Sequence, residues 1–427
     1  MHSRMIPFPW FMIFNLLLTT QQISAQDSPK AGDSPQVSAS YWFIGYPSID
    51  ATINGEEIVC LISTAMSGHQ IDKSRAGLLQ GEVLKATTGS VSVVSLSLNG
   101  DASHAIEGLS TFPDVTISTT GLQQEHQKFS VGNLSIIAEF LSAAPDAVLG
   151  TDIMKSNVML LRHQHADLQV LWKERESYQS EASFQRFGMK RNANHMPEVD
   201  VELPVLGTRG FLPATSFNEC LTVTAHLAGI LLRSNAAVFG DPSSRRSVDG
   251  LKEMETLIVR KITVLGTTFE NVPAQVSGLG LNTVGMGLLR FYDLDFDVDG
   301  EVIFARLLQP ERNRILGNSS PPFCFRFVSP SKVVVEDTGI RSQRLDKLIK
   351  PGDELVECDG QVASQLSYWQ LTDLLSTKER AWKCRFRNEN EIFEVNVQPD
   401  AHMTDFKEEA FRSVSSESDV FFESLSE

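Results

Sequence analysis

Residues 58–72 read IVCLISTAMSGHQID, and this stretch decides how the chain is read. An unbroken apolar run, Ile58 through Ile62, leads into the small residues Ser63-Thr64-Ala65. Such a run is a buried strand, and small residues after it make a tight turn. Residues 210–223, GFLPATSFNECLTV, repeat the outline, with Ala214-Thr215-Ser216 as the turn and Thr again central. Each turn is followed at a similar distance by an apolar-apolar-Gly element: from 63 to Gly150 in DAVLGTDIM, and from 214 to Gly285 in NTVGMGLLRFYDLDFDVDGEVIFA. After each glycine come a short helical turn and a pair of alternating strands. A duplicated β-rich lobe is the economical reading.

The rest of the chain sorts around these lobes. A length of 427 residues implies two to four units, each able to bury a core. Residues 1–25 have the form of a secretory signal peptide: a basic start, MHSR, an apolar run, MIPFPWFMIFNLLL, and the small residue Ala25 before the cut. The chain is therefore expected to be exported, with no membrane contact beyond that segment. Residues 26–40 are a polar, Pro-containing spacer. The first lobe spans 41–172, with SVSVVSLSL and NLSIIAEF among its strand signals. Residues 173–196 are polar, lack apolar periodicity and read as a linker. The second lobe spans 197–308, a third unit 316–398, and an acidic tail with a VFFESL patch 400–427. The net charge of −16 argues against nucleic acid, because phosphate binding needs a basic face. Of the five cysteines, Cys324, Cys358 and Cys384 lie in the third unit. One pair there can form in an oxidising compartment, and the sequence does not choose which.

The two lobes resemble a retropepsin-like or pepsin-like aspartic peptidase. The first turn stands where that family has Asp-Thr-Gly, and AVLGTDIM and GMGLLRFYDLDFD are similar to its Leu-Gly-x-x-x-Leu element. The resemblance covers residues 41–306 and implies a mainly β fold of two pseudo-symmetric lobes. It implies too that two carboxylates share one proton to activate a water, while Thr in each turn clasps the opposite lobe. At the acid positions, however, this chain carries Ser63 and Ala214, and at the glycine positions Ala65 and Ser216. Thr64 and Thr215 remain. Losing proton transfer alone costs on the order of 10²–10⁴ in rate. No catalytic residue, metal or cofactor is therefore expected at this centre. Asp72, Asp146, Asp152 and Glu219 are the nearest acids that could serve instead. Ser63 as a nucleophile would need a base, with His69 the nearest histidine. His163 and His165, in HQH, share a strand face but have no evident third ligand.

The third unit resembles a PDZ domain, an α/β-containing, partly open barrel. KPGDELVECDGQ, residues 350–361, is similar to the Lys-Pro-Gly-Asp…Asn-Gly signature of PDZ units in bacterial secreted proteases. The resemblance implies a peptide or protein ligand added as an edge strand beside FCFRFV, residues 323–328. Phe323, Cys324, Phe325, Tyr368, Leu371 and Leu375 would line its groove. The loop NSSPPF lacks the family's Gly-Leu-Gly-Phe, and Pro321 and Pro322 supply no N–H for a terminal carboxylate. Together these readings give an inactive, peptide-binding protease relative. The alternatives are an active peptidase using other carboxylates and an interaction scaffold with an occluded cleft.

Overall fold

The computed structural model describes residues 36–38, 46–79, 84–85, 110–119, 122–132, 134, 145–164, 167–192, 196–240, 243–247, 250–277, 280–308, 323–329, 332–337, 349–376, 381–389 and 391–397. The signal segment, the tail with its VFFESL patch, SVSVVSLSL, all of NLSIIAEF but Leu134, and NSSPP lie outside these residues. The fold is mainly β.

Two rings of six strands carry the duplication. In the first, Ser48–Ile53, Glu56–Ile62, Ala147–Leu149, His69–Asp72, Leu122–Gly132 and Ser110–Thr119 are neighbours in that order, and the last pairs back to the first to close a barrel. In the second, Pro197–Leu203, Gly207–Ala214, Thr283–Gly285, Leu221–Thr224, Thr267–Ser277 and Thr256–Val264 close in the same way. The directions match strand for strand. The strand before each turn runs parallel to the short strand before or at the glycine. The strand after each turn runs parallel to one long strand. The other pairings in both rings are antiparallel. The repeat in sequence is thus a repeat in topology.

A shared antiparallel sheet joins the rings, in the order Gln36–Ser38, Asp167–Glu174, Asn157–Gln164, Tyr292–Asp297, Val302–Leu307, Gln185–Arg191. At its centre Leu160 faces Asp295. Leu160 lies ten residues after Gly150, and Asp295 ten after Gly285. The residues that the duplication equates therefore pair with each other, and a pseudo-two-fold axis runs between them.

Two segments differ from their sequence reading. Residues 36–38 of the spacer form the outer strand of the shared sheet. The stretch read as a linker contains the strand Gln185–Arg191, which bridges the shared sheet to the second ring. In that strand only Met189 is fully buried, so no apolar alternation announces it. Its backbone ladder rather than its side chains holds it in place.

The C-terminal sheet runs Cys324–Ser329, Lys332–Asp337, Glu354–Cys358, Trp382–Arg387, Ile392–Val397, with the helix Tyr368–Ser376 packed on it. Its core includes Phe327, Leu355, Trp382 and Phe386. The Pro351-Gly352 turn forms as its sequence requires. Gly352 has φ +97°, and Asp353 accepts a hydrogen bond from the Lys350 N–H at 2.7 Å. Among the described residues no helix is long and apolar enough to cross a membrane.

The glycines after the turns have a steric cause. A Cβ on Gly150 would stand 2.1 Å from the Gly68 carbonyl oxygen, and one on Gly285 would stand 2.2 Å from that of Glu219. The chain leaving each turn crosses here. Its carbonyls at Met66 and Phe217 accept the N–H groups of Thr151 (2.7 Å) and Met286 (2.6 Å). Neither backbone can move aside without losing those bonds. Gly150→Ala and Gly285→Ala are each expected to lower stability by about 3 kcal/mol. Gly77→Ala, with nothing within 4 Å of its added methyl, is expected to change it little. Urea unfolding of the three variants checks the contrast.

Candidate functional site

The two turns meet face to face. Each strand before a turn ends on the glycine element of its own ring: the Ser63 N–H donates to Leu149 O, and Ala214 is in register with Gly285. This fixes both threonines at the seam, where neither has solvent exposure. The Thr64 N–H donates to Thr215 Oγ1 (3.1 Å), and the Thr215 N–H donates to Thr64 Oγ1 (3.0 Å). Thr215 Oγ1 in turn donates to Ile62 O at 2.8 Å, and Thr64 Oγ1 donates to Pro213 O. Each hydroxyl therefore satisfies one N–H and one C=O of the opposite strand.

Beside this clasp, Ser63 Oγ and Ser216 Oγ lie 2.9 Å apart and share a hydrogen bond. Ala214 packs with Ala65 and Phe217. All five of these residues are buried. The neighbourhood is neutral, so the turns themselves contain nothing that titrates near neutral pH.

Three of the acids noted in the sequence make side-chain bonds of their own. Asp72 accepts from Ser74 N (2.8 Å), Ser74 Oγ (2.6 Å) and Leu134 N (2.7 Å), which ties down the chain after its strand. Asp146 accepts from Val59 N (2.9 Å) and Arg75 Nε (2.7 Å). Asp152 pairs with Lys155 one helical turn on. Glu219 lends its backbone carbonyl to the Gly287 N–H at 3.2 Å.

His69 is a buried structural histidine. Its Nδ1 accepts from the Gly150 N–H (3.2 Å), its Nε2 bonds to Gln127 Oε1 (2.9 Å), and its ring lies against Phe129. With both nitrogens occupied it has no free lone pair for Ser63. This assigns the proton to Nε2. His163 donates its backbone N–H to Asp293 Oδ1 (2.9 Å), and burial pushes its pKa down to about 4. His165 lies outside the described residues.

In the C-terminal unit the strand Cys324–Ser329 lies at the sheet edge, with Lys332–Asp337 as its sheet neighbour. Of the six side chains expected to line a groove beside it, four are core residues. Phe323, Phe325, Leu371 and Leu375 are buried in the core. Spacings of three and four put residues on one helix face, and here that face is the inner one. Tyr368 is half-buried and its ring meets Phe325 at 5.4 Å. The Cys324 side chain is outside the description.

One contact had no sequence signal. Arg290, just past the short helix Met286–Leu289, stacks on Phe291 and Trp369 with its guanidinium carbon 4.5 Å from each ring centroid. It forks onto Asp373 at 2.8 and 2.7 Å. Trp369 and Asp373 stand four apart on the C-terminal helix, so this arginine docks that unit on the second lobe. The Trp-Asp spacing is visible in the sequence, but its partner lies far away along the chain.

No protein-family model matches the chain, and no curated protein matches it either.

The clasp predicts strong coupling. Thr64→Val and Thr215→Val should each cost about 2–3 kcal/mol, because each strands the opposite backbone groups. The double variant should cost less than the sum by about 1–3 kcal/mol in a double-mutant cycle by denaturant unfolding. His69 predicts a pH dependence. Burial lowers its pKa, against an opposing contribution from Gln127. Its neutral form is therefore the folded one. The stability it contributes is complete above about pH 6.5, the unfolded value, and is lost as pH falls below it. His69→Gln should flatten the loss of stability on acidification relative to the parent, read as unfolding midpoints from neutral pH downward.

Proposed function

We propose that this chain is an exported, catalytically silent aspartic-peptidase-like protein whose PDZ-like C-terminal unit binds extended polypeptide. The observation that carries the first half is the reciprocal threonine clasp. It brings two pseudo-symmetric turns together and leaves Ser63 and Ala214 where such an enzyme has its acids. A hydroxyl has too high a pKa to act as a base near neutral pH, and a methyl has no proton to give. Asp72, Asp146 and Asp152 are engaged in local bonds, which leaves the reading with substitute carboxylates to Glu219.

Ser63, Ala214 and Phe217 are buried, and in this reading the lobes serve as a platform. In the same reading ligand contact falls on the strand Cys324–Ser329, which among the described residues has a sheet neighbour on one side alone. Affinity in this mode comes from main-chain hydrogen bonds. Specificity needs side-chain pockets, and burial of Leu371 and Leu375 leaves few. A tolerant, sequence-permissive binder of extended segments fits that surface.

Two measurements on the full chain test this reading. Incubation with a denatured protein substrate from about pH 3 to pH 8 is expected to generate no new termini by mass spectrometry. Site-specific cleavage blocked by a transition-state inhibitor of aspartic peptidases would overturn the silent-centre assignment. A combinatorial library of extended peptides is expected to be retained by the immobilised chain, with slowed amide exchange confined to Cys324–Ser329. Protection that maps instead to the seam would move the binding site to the inter-lobe cleft.

A further inference from the structure

We infer that Cys358 and Cys384 form a disulfide that staples the C-terminal sheet and closes the loop carrying its helix. The sequence left three candidates in this unit, and the structure selects two. Cys358, at the end of Glu354–Cys358, is the direct cross-strand partner of Cys384 in Trp382–Arg387. One residue further on, the Asp359 N–H donates to Lys383 O at 2.9 Å. That alternation makes the cysteine pair a non-hydrogen-bonded one, the position where facing side chains approach closest. As thiols the two sulphurs stand 3.0 Å apart, and both residues are wholly buried in the unit's core. The Cα separation of such a pair, about 4.5 Å, falls within the range that a disulfide bridges. Of the remaining thiols with described side chains, Cys60 is buried in a strand of the first ring and Cys220, half-buried, immediately precedes a strand of the second.

The bond has a structural consequence. It closes the loop from 358 to 384, which contains the helix Tyr368–Ser376 and hence Trp369 and Asp373, the residues that hold Arg290. Crosslinking such a loop removes freedom from the unfolded chain. The oxidised chain therefore keeps its helix presented to the second lobe when the sheet begins to fray.

The chemistry is thiol–disulfide exchange with a small-molecule disulfide of the glutathione class. One cysteine thiolate attacks a sulphur of the oxidant and releases the first glutathione thiolate, leaving a mixed disulfide. The second cysteine thiolate attacks that bond and releases the second glutathione. The two protons lost by the cysteines pass to the released thiolates, so the pair is oxidised by two electrons and the oxidant reduced by two. In the folded chain, contact with Cys358 and burial raise the Cys384 pKa, which suppresses its thiolate. The exchange therefore runs during folding, before the strand Trp382–Arg387 seals the pair.

The test refolds the full chain from denaturant with a glutathione redox pair, then alkylates it under denaturing conditions. The expected product has three alkylatable thiols of the five in the sequence, and a proteolytic peptide pair linking Cys358 to Cys384. Its melting temperature should fall by roughly 5 °C or more when a phosphine reductant is added. The same reductant should leave the C358A/C384A double variant unchanged. Five alkylatable thiols after oxidative refolding, a linkage that uses Cys324, or equal reductant sensitivity in the parent and the double variant would each overturn the inference. The thiol count and the linkage map need no variant to fold.

Discussion

Two threonine hydroxyls hold the halves of this protein in register. Where the strands Glu56–Ile62 and Gly207–Ala214 run out, the N–H groups of Thr64 and Thr215 and the carbonyls of Ile62 and Pro213 face the opposite lobe. No water reaches them, and each buried group left unsatisfied would cost about 1–3 kcal/mol. Because each hydroxyl serves one donor and one acceptor of the opposite strand, satisfying all four groups requires both. That reciprocity demands near two-fold symmetry at the seam. The same symmetry reappears in the shared sheet, where Leu160 meets Asp295. A clasp and a sheet with a common pseudo-axis leave the lobes one way to dock.

The axis is symmetric in backbone and asymmetric in chemistry. Asp295 is buried and bonded to Tyr178 Oη at 2.5 Å and to Arg162, while its equivalent, Leu160, is apolar. Arg162 donates to Leu294 O as well and stacks on Phe184. Burial pushes the Asp295 pKa up, and Arg162 and Tyr178 pull it back down. A buried ion pair of this kind adds little net stability over an apolar core. Its value here is register. A one-residue slip of Tyr292–Asp297 against Asn157–Gln164 would turn Asp295 to the other sheet face and part it from Arg162.

Much of this architecture was legible because it is written locally. An apolar run into a small-residue turn, a glycine after apolar residues and a Pro-Gly-Asp turn each need only a few neighbouring residues to declare themselves. Their recurrence in both halves revealed the duplication. What stayed hidden depends on partners distant in sequence. Gln185–Arg191 is a strand because of the ladders beside it, and its single fully buried side chain, Met189, gives no alternation. Leu371 and Leu375 have a spacing that serves a groove or a core equally, and only burial tells which. His69 looked like a potential base, but Gly150 and Gln127 occupy both its nitrogens. Arg290 is one arginine among many until Trp369 and Asp373 are folded against it.

In the proposed reading, the missing acids have a physical logic. Two carboxylates packed at a seam repel each other, share a proton uneasily, and must be desolvated before they can work. Strain of that kind is held by the surrounding fold at the expense of stability. Ser63 and Ala214 carry none of it. A hydroxyl pair at 2.9 Å and a small apolar cluster are neutral at every pH at which the protein folds. The clasp remains necessary without the acids, because the backbone groups it satisfies stay buried whether or not chemistry happens beside them. A seam relieved of catalysis can then act as a permanent joint. The surface proposed to meet other molecules is the edge of the C-terminal sheet, in the unit held to the second lobe through Arg290.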